Sequence, residues 1–340
     1  MYHPYEAELS PRSTQLDGKL NNDILVLTVK KGFWASRDCE IFPNRIYSKY
    51  IFHGFGKWGT SRNPFNSLSL ILTGYLYCLF YKPKLLLFGS APRVSAWFAR
   101  IKRRGLLPEV KLIAPGAVYL DDKDAAYFDR LYVFSRSEVT IHDPALRHKF
   151  EFIPLPAEGE FNFLMPEVNR NCIFAGGGAG RDFASLIEAV QGLETELEIV
   201  TFSQKNLGYA RDLPENCKVY WRMSSTDYLK RMASALFVVV PLKEGLHPHG
   251  HTSVVQALRL GKAIISVKNA SIEDYVQHGK EGLLVQSGDV DEYKQAILHL
   301  FYDHSFRASC EYYSKRWIPE LSYASYARRL ENLCIETLLH

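Results

Sequence analysis

The sequence predicts an α/β protein built from two doubly wound parallel sheets, each in a domain of its own. Three observations carry that expectation. Short apolar runs rich in β-branched residues alternate with helix-period segments from residue 23 to residue 155. The alternation restarts at residue 172 and runs to residue 267. Between the two halves, Pro154, Pro156 and Pro166 mark a linker around residues 156–170. At 340 residues the chain is long enough for two domains of ordinary size.

The elements follow in order. Residues 1–20 read as a tail or irregular cap, and residues 23–29 (DILVLTV) as a first buried strand. Residues 68–81 (LSLILTGYLYCLFY) form a strongly apolar helix, shorter than the ~20 residues a membrane span needs. A buried helix is the main reading, and a membrane-surface element beside Lys82 and Lys84 the lesser one. Strands follow at 84–90, 110–114, 131–134 and 152–155, with a basic helix at 94–104 and a helical approach at 122–128. In the second half, strands are expected at 172–175, 197–202, 218–221, 236–240 and 263–267. The helices between them lie near 183–190, 226–233 and 253–260. Two more helices, 291–301 and 323–338, end the chain.

Residues 238–267 carry the most chemistry. Val238, Val239 and Val240 read as a strand buried on both faces, and Pro241 ends it. A polar loop then reaches Gly250, His251, Thr252 and Ser253, just ahead of the apolar-periodic run at 254–258. Thr or Ser there can cap a helix, whose first N–H groups and positive dipole end attract an anion, most often a phosphate. Gly261 closes the helix before the next strand. A polar loop at the carboxyl end of a strand is where open α/β sheets bind ligands.

Three stretches in order resemble the donor-binding signature of GT-B glycosyltransferases, close to family four (group one). The first is the glycine loop and helix of residues 172–190, with Gly177, Gly178 and Arg181. The second runs from Glu244-Gly245 through Gln256-Ala257 to Gly261-Lys262-Ala263, and the third covers residues 273–289. The resemblance covers residues 171–305, and three motifs at natural spacing are more specific than any one. The resemblance implies a GT-B fold of two Rossmann-like domains facing a central cleft. Residues 1–160 would be the acceptor-side domain, with a terminal helix at 320–340 packing back on it. Residues 168–318 would bind the nucleotide-sugar donor. The implied reaction moves a sugar from a nucleotide diphosphate sugar to a hydroxyl of a glycan or lipid-linked acceptor, with no metal and no cofactor.

The resemblance also implies site residues. Arg181 and Lys205 would grip the donor diphosphate beside Gly177, Gly178, Gly250, His251 and Thr252. Arg222 and Met223 follow a strand where relatives hold the base, and Gln256 would meet the ribose. Glu244, His249 and, from the first half, His53 would face the transferred sugar. Two departures stand out. Many retaining members carry two glutamates eight positions apart, but Gln256 replaces one of them and Pro248 occupies the counted-back position of the other. Glu244 lies further upstream, so retention or inversion stays open.

Each motif has a plainer reading. Gly176-x-Gly178-x-x-Arg181 nearly mimics a dinucleotide fingerprint, but an arginine in place of the third glycine obstructs the close packing an NAD site needs. Asp182 is a helix cap by type. Lysine in a loop, such as Lys205, is ordinarily solvated. The alternating His247, His249 and His251 share a face only in a regular strand, which Pro248 and Gly250 disfavour, and no carboxylate or cysteine nearby completes a tetrahedral metal set. The 53–58 stretch (HGFGKW) and Ser90 to Arg93 read either as cleft lining or as ordinary turns.

Composition bounds the rest. The net charge of +4 does not demand nucleic acid, although Arg100, Lys102, Arg103 and Arg104 cluster tightly. Six cysteines without paired spacing predict reduced thiols rather than a disulfide framework. The first twenty residues lack the apolar core of a signal peptide, so a cytoplasmic protein is expected, with possible membrane contact at the inner face. Two rivals remain: a non-catalytic nucleotide-sugar-binding subunit, and a sugar-nucleotide epimerase of the same fold. The epimerase would need a pair of acid/base carboxylates that the sequence does not offer.

Overall fold

The computed structural model describes residues 23–29, 48–53, 64–89, 92–116, 120–157, 161, 165–169, 171–202, 204–207, 213–244 and 249–340. The expected tail at 1–20, the glycine-rich residues 54–58, Ser90 and the loop residues Gly245 to Pro248 lie outside them. The chain divides into two compact units. One comprises Met1–Pro115, Leu120–Leu131 and Glu331–His340, and the other Gly116–Tyr119 and Tyr132–Leu330.

The chain begins with β1 (Ile24–Val29), β2 (Ser48–His53), α1 (Pro64–Tyr81), β3 (Leu85–Phe88), α2 (Pro92–Arg103) and β4 (Lys111–Pro115). The short α3 (Asp122–Ala125), β5 (Arg130–Val133) and β6 (Phe150–Phe152) follow. These strands form a six-stranded sheet in the order β2-β1-β3-β4-β5-β6, with β1 parallel to both β2 and β3. Leu85, Leu86, Leu87 and Phe88 are all buried, as an apolar run inside a parallel sheet must be. Gly74 on α1 is needed for close packing, because a Cβ there would lie 2.9 Å from the Leu27 side chain.

The second sheet has the order β12-β11-β10-β7-β8-β9, and every neighbouring pair is parallel. Its strands are β7 (Cys172–Gly176), β8 (Glu196–Thr201), β9 (Cys217–Trp221), β10 (Val238–Val240), β11 (Ile264–Val267) and β12 (Gly282–Val285). The helices are α4 (Phe183–Val190), α5 (Ser225–Ser234), α6 (His251–Arg259), α7 (Ala270–Glu273), α8 (Val290–Tyr302), α9 (His304–Lys315) and α10 (Tyr323–Leu339). From β7 the chain steps outward through β8 and β9, then returns to the other side of β7 as β10. The strand order therefore reverses between β7 and β10, and outside the carboxyl ends at such a reversal is where open α/β sheets bind ligands.

Two parallel sheets with intervening helices bear out the expected fold class. Besides the 3-10 turns, four elements were not expected, one of them the four-residue helix α7. The edge strand β2 has few β-branched residues to announce it, and β12 is only four residues long. In α9 (HSFRASCEYYSK) charged and polar residues mask the helical period. Helix α6 also starts earlier than expected. Gly250 is its N-cap at φ +92°, without a side-chain cap hydrogen bond, so neither Thr252 nor Ser253 caps it. Among the described residues Cys78, Cys172, Cys217, Cys310 and Cys334 are buried free thiols, and no helix is long and apolar enough to cross a membrane.

Candidate functional site

The site is built where β7 and β10 end. Strand β7 is buried along its length and runs into three consecutive glycines. Gly177 has φ +123°, a conformation L side chains rarely adopt, and a Cβ on it would stand 2.4 Å from the Arg181 guanidinium. Its N–H donates to Val200 O at the end of β8. The loop thus folds tightly over the arginine that follows it. A backbone bridge from Arg181 to Leu242 and a bond from Lys243 N–H to Gly180 O join it to the segment leaving β10. Asp182 caps α4, accepting from Ser185 N–H and Ser185 Oγ.

Arg181 is the centre of this junction. Nε donates to Gly176 O at 3.0 Å, Nη1 to Ala179 O at 3.1 Å and Nη2 to Ser253 Oγ at 2.9 Å. Ser253 lies in the first turn of α6 and donates in turn to Gly176 O at 3.3 Å. The Tyr228 hydroxyl from α5 is 3.3 Å from Ser253 Oγ, and its ring fills the space a Cβ on Gly176 would need. Arg181 is only 6% exposed, and burial pushes its pKa below the ordinary value, yet a guanidinium remains charged. Among the described residues it makes no ion pair with a carboxylate. A buried cation held by neutral oxygens beside an uncapped helix start is an unbalanced positive site, electrostatically suited to an anion.

The neighbouring residues sort by place. His249 is half-buried, with its ring where a Cβ on Gly180 would project. Thr252 is exposed, whereas His251 and Gln256 are buried. The His251 Nε2 donates to Ser271 O at 3.0 Å, which fixes the neutral tautomer, and burial lowers its pKa. Its ring therefore serves the helix junction, edge-on to Tyr275 at 5.5 Å. Lys205 belongs to a short 3-10 turn, Gln204–Leu207, whose Asn206 Nδ2 donates to Thr201 Oγ1 at 2.9 Å. That amide lies 3.6 Å from a Cβ position on Gly178, so the turn abuts the glycine loop.

Not all the expected residues converge by recorded contacts. Arg222 is exposed, at φ +51°, and its N–H donates to Thr201 O beside the end of β8. Met223 is half-buried next to it, and Glu244 is exposed at the edge of the described loop. His53 is the last residue of β2. Sequence reasoning gave Tyr228 no role and Ser253 only that of a candidate cap at the helix start. Ser253 was visible only as part of the helix start, and Tyr228 reaches it through a fold contact that spacing does not encode. Among the described residues no group of three or more His, Cys, Asp or Glu could hold a metal ion.

The sequence and the fold have known counterparts. Residues 167–317 match the family model of glycosyl transferases group 1. Over these residues the chain is similar to the group 1 glycosyltransferases. The match brackets the glycine loop, Arg181 and the whole of α6. Among solved structures, Anabaena HepE in complex with UDP is similar, with a TM-score of 0.66 at 11% identity, over 92% of this chain and 100% of that one. The apo lipopolysaccharide outer core galactosyltransferase WaaB gives 0.68 at 12% identity, over 92% and 99%. A glycosyltransferase from Rickettsia africae gives 0.65 at 11%, over 92% and 90%. At such identities these neighbours establish the fold, which is that of GT-B glycosyltransferases. No curated protein matches the chain in sequence.

Proposed function

We propose that the chain transfers a sugar from a nucleotide diphosphate sugar to a hydroxyl of a glycan or lipid-linked acceptor, without a divalent metal. One observation carries this reading: Arg181, buried and without a carboxylate partner among the described residues, hydrogen-bonds Ser253 at the uncapped start of α6. As the glycosidic bond to the donor breaks, negative charge grows on the leaving diphosphate. A fixed guanidinium and helix N–H groups stabilise that charge without reorganising. Lys205 adds a second cation from the turn beside Gly178. In this reading the donor domain spans residues 168–318, and the acceptor domain residues 1–160 with the helix at 320–340.

The sugar would lie towards Glu244, His249 and His53, the base towards Arg222 and Met223, and the ribose against Gln256. HepE has been solved with UDP and with UDP-glucose, so UDP-sugars head the screen, followed by GDP- and ADP-sugars. A donor at 100 times its dissociation constant stabilises by about 2.7 kcal/mol, which thermal denaturation reads as several degrees. Transfer or hydrolysis of the stabilising donor supports the enzyme. Stabilisation without either reaction would favour the non-catalytic subunit, to which the neutral Gln256 in place of a glutamate points.

Gln256 and Glu244 separate the nucleotide from the sugar. Gln256→Ala is expected to weaken binding of the free nucleotide diphosphate by about 0.5–1.5 kcal/mol, roughly two- to tenfold. Glu244→Ala should leave that affinity unchanged and reduce transfer. Calorimetric titration of both variants checks the pair. Equal nucleotide affinity for wild type and Gln256→Ala would end the ribose assignment.

A further inference from the structure

Helix α1 has no polar outer face. Leu70, Gly74, Tyr77 and Cys78 are buried, as one side of a packed helix should be. The opposite side carries Leu68, Leu72, Leu76, Leu79 and Phe80, spaced along one stripe at three- and four-residue intervals. All five are exposed, Leu72 by 57% and Phe80 by 78%. A surface helix ordinarily turns charged residues to water, and α1 contains none. The Tyr75 hydroxyl donates to Leu106 O, which brings the end of α2 beside this stripe and adds the exposed Leu106 to it. A contiguous exposed apolar patch of this kind marks an interaction surface.

Charge says what covers it. Residues 41–108 contain eleven Lys and Arg and no Asp or Glu, in a chain whose net charge is only +4. At the rim of the stripe, Lys82, Arg103 and Arg104 are exposed and make no ion pair among the described residues. Lys102 by contrast is committed to Asp129. Leucines and a phenylalanine bordered by cations, with Glu109 the nearest acidic residue in sequence, match an anionic bilayer. Acyl chains accept the apolar side chains and lipid phosphates meet the cations. A nucleic acid would satisfy the cations but leave the leucine stripe in water.

We propose that the outer face of α1, with Leu106 and the cations at its rim, docks the protein on an anionic lipid surface without crossing it. This rests on the lipid-linked acceptor of the proposed function, which it would hold near the enzyme. It involves no residue of the donor site, so the two readings fail separately. The test uses the full chain and vesicles of phosphatidylcholine alone or mixed equally with phosphatidylglycerol. Wild type should sediment with the mixed vesicles and much less with the neutral ones, and added salt should weaken the binding. The variant Leu72→Ser/Leu76→Ser/Phe80→Ser alters only exposed positions and should lose at least tenfold in vesicle affinity while keeping its thermal shift with donor. Arg103→Gln/Arg104→Gln should lose the preference for the anionic lipid. Wild-type binding that the triple variant retains, or no vesicle binding at all, overturns the proposal. So does a wild-type dimer that the triple variant dissolves without any lipid binding, which would assign the stripe to a second copy of the chain.

Discussion

Replacing Arg181 with alanine is expected to raise the dissociation constant of the donor about ten- to hundredfold. Each hydrogen bond to a charged group is worth about 1.5–3 kcal/mol, and the guanidinium is the buried cation of the junction. Three of its N–H groups already hold Gly176, Ala179 and Ser253, and the fork leaves others for an anion. Arg181→Lys should fall between, because an ammonium keeps the charge but cannot span three acceptors in a plane. The loss should shrink for the free nucleoside, which carries no phosphate. Calorimetry with the nucleotide, its diphosphate and the nucleoside separates these cases. Thermal denaturation without ligand reports how much of Arg181's work is structural. Unchanged donor affinity in Arg181→Ala, with the variant folded, would remove it from the site.

The legible and illegible parts of this protein divide along a physical line. Buried parallel strands announce themselves as apolar runs, so β1, β3, β7, β10 and β11 could be read directly. So could the glycine loop, because three consecutive glycines ahead of a basic residue have few other uses. Illegible were features decided by long-range contact. Strand β2 exists because β1 offers it an edge, and Gly282 in β12 is compulsory only because Ile264 O would lie 1.7 Å from its Cβ. The N-cap shows the same limit. Thr252 and Ser253 are good capping types, yet the helix starts ahead of them, and Ser253 spends its hydroxyl on Arg181 and Gly176. Local propensity proposed a cap, and tertiary geometry put the serine to another use. The pairing of Ser253 with Tyr228 likewise joins α6 to α5 through packing that neither segment records.

Gly177→Ala tests whether the glycine loop acts through the arginine or beside it. The substitution has two effects. At φ +123° the backbone is strained for any L residue, at about 1–3 kcal/mol. The new Cβ would also lie 2.4 Å from Nη2 and 2.7 Å from Nε of Arg181, so the guanidinium must leave its bonds to Gly176 and Ser253. The expected result is a melting temperature lower by several degrees together with a loss of donor affinity approaching that of Arg181→Ala. Gly192→Ala separates the two effects. Gly192 also has a positive φ, +76°, but nothing lies within 4 Å of its Cβ position. It should therefore lose stability and keep donor affinity. The double variant Gly177→Ala/Arg181→Ala then decides the route. If the glycine matters only by giving the guanidinium room, the second substitution adds nothing to the affinity already lost with Arg181, and the two effects are far from additive. Additive losses would mean that the loop backbone binds the donor on its own account, through N–H groups that the strained alanine turns away.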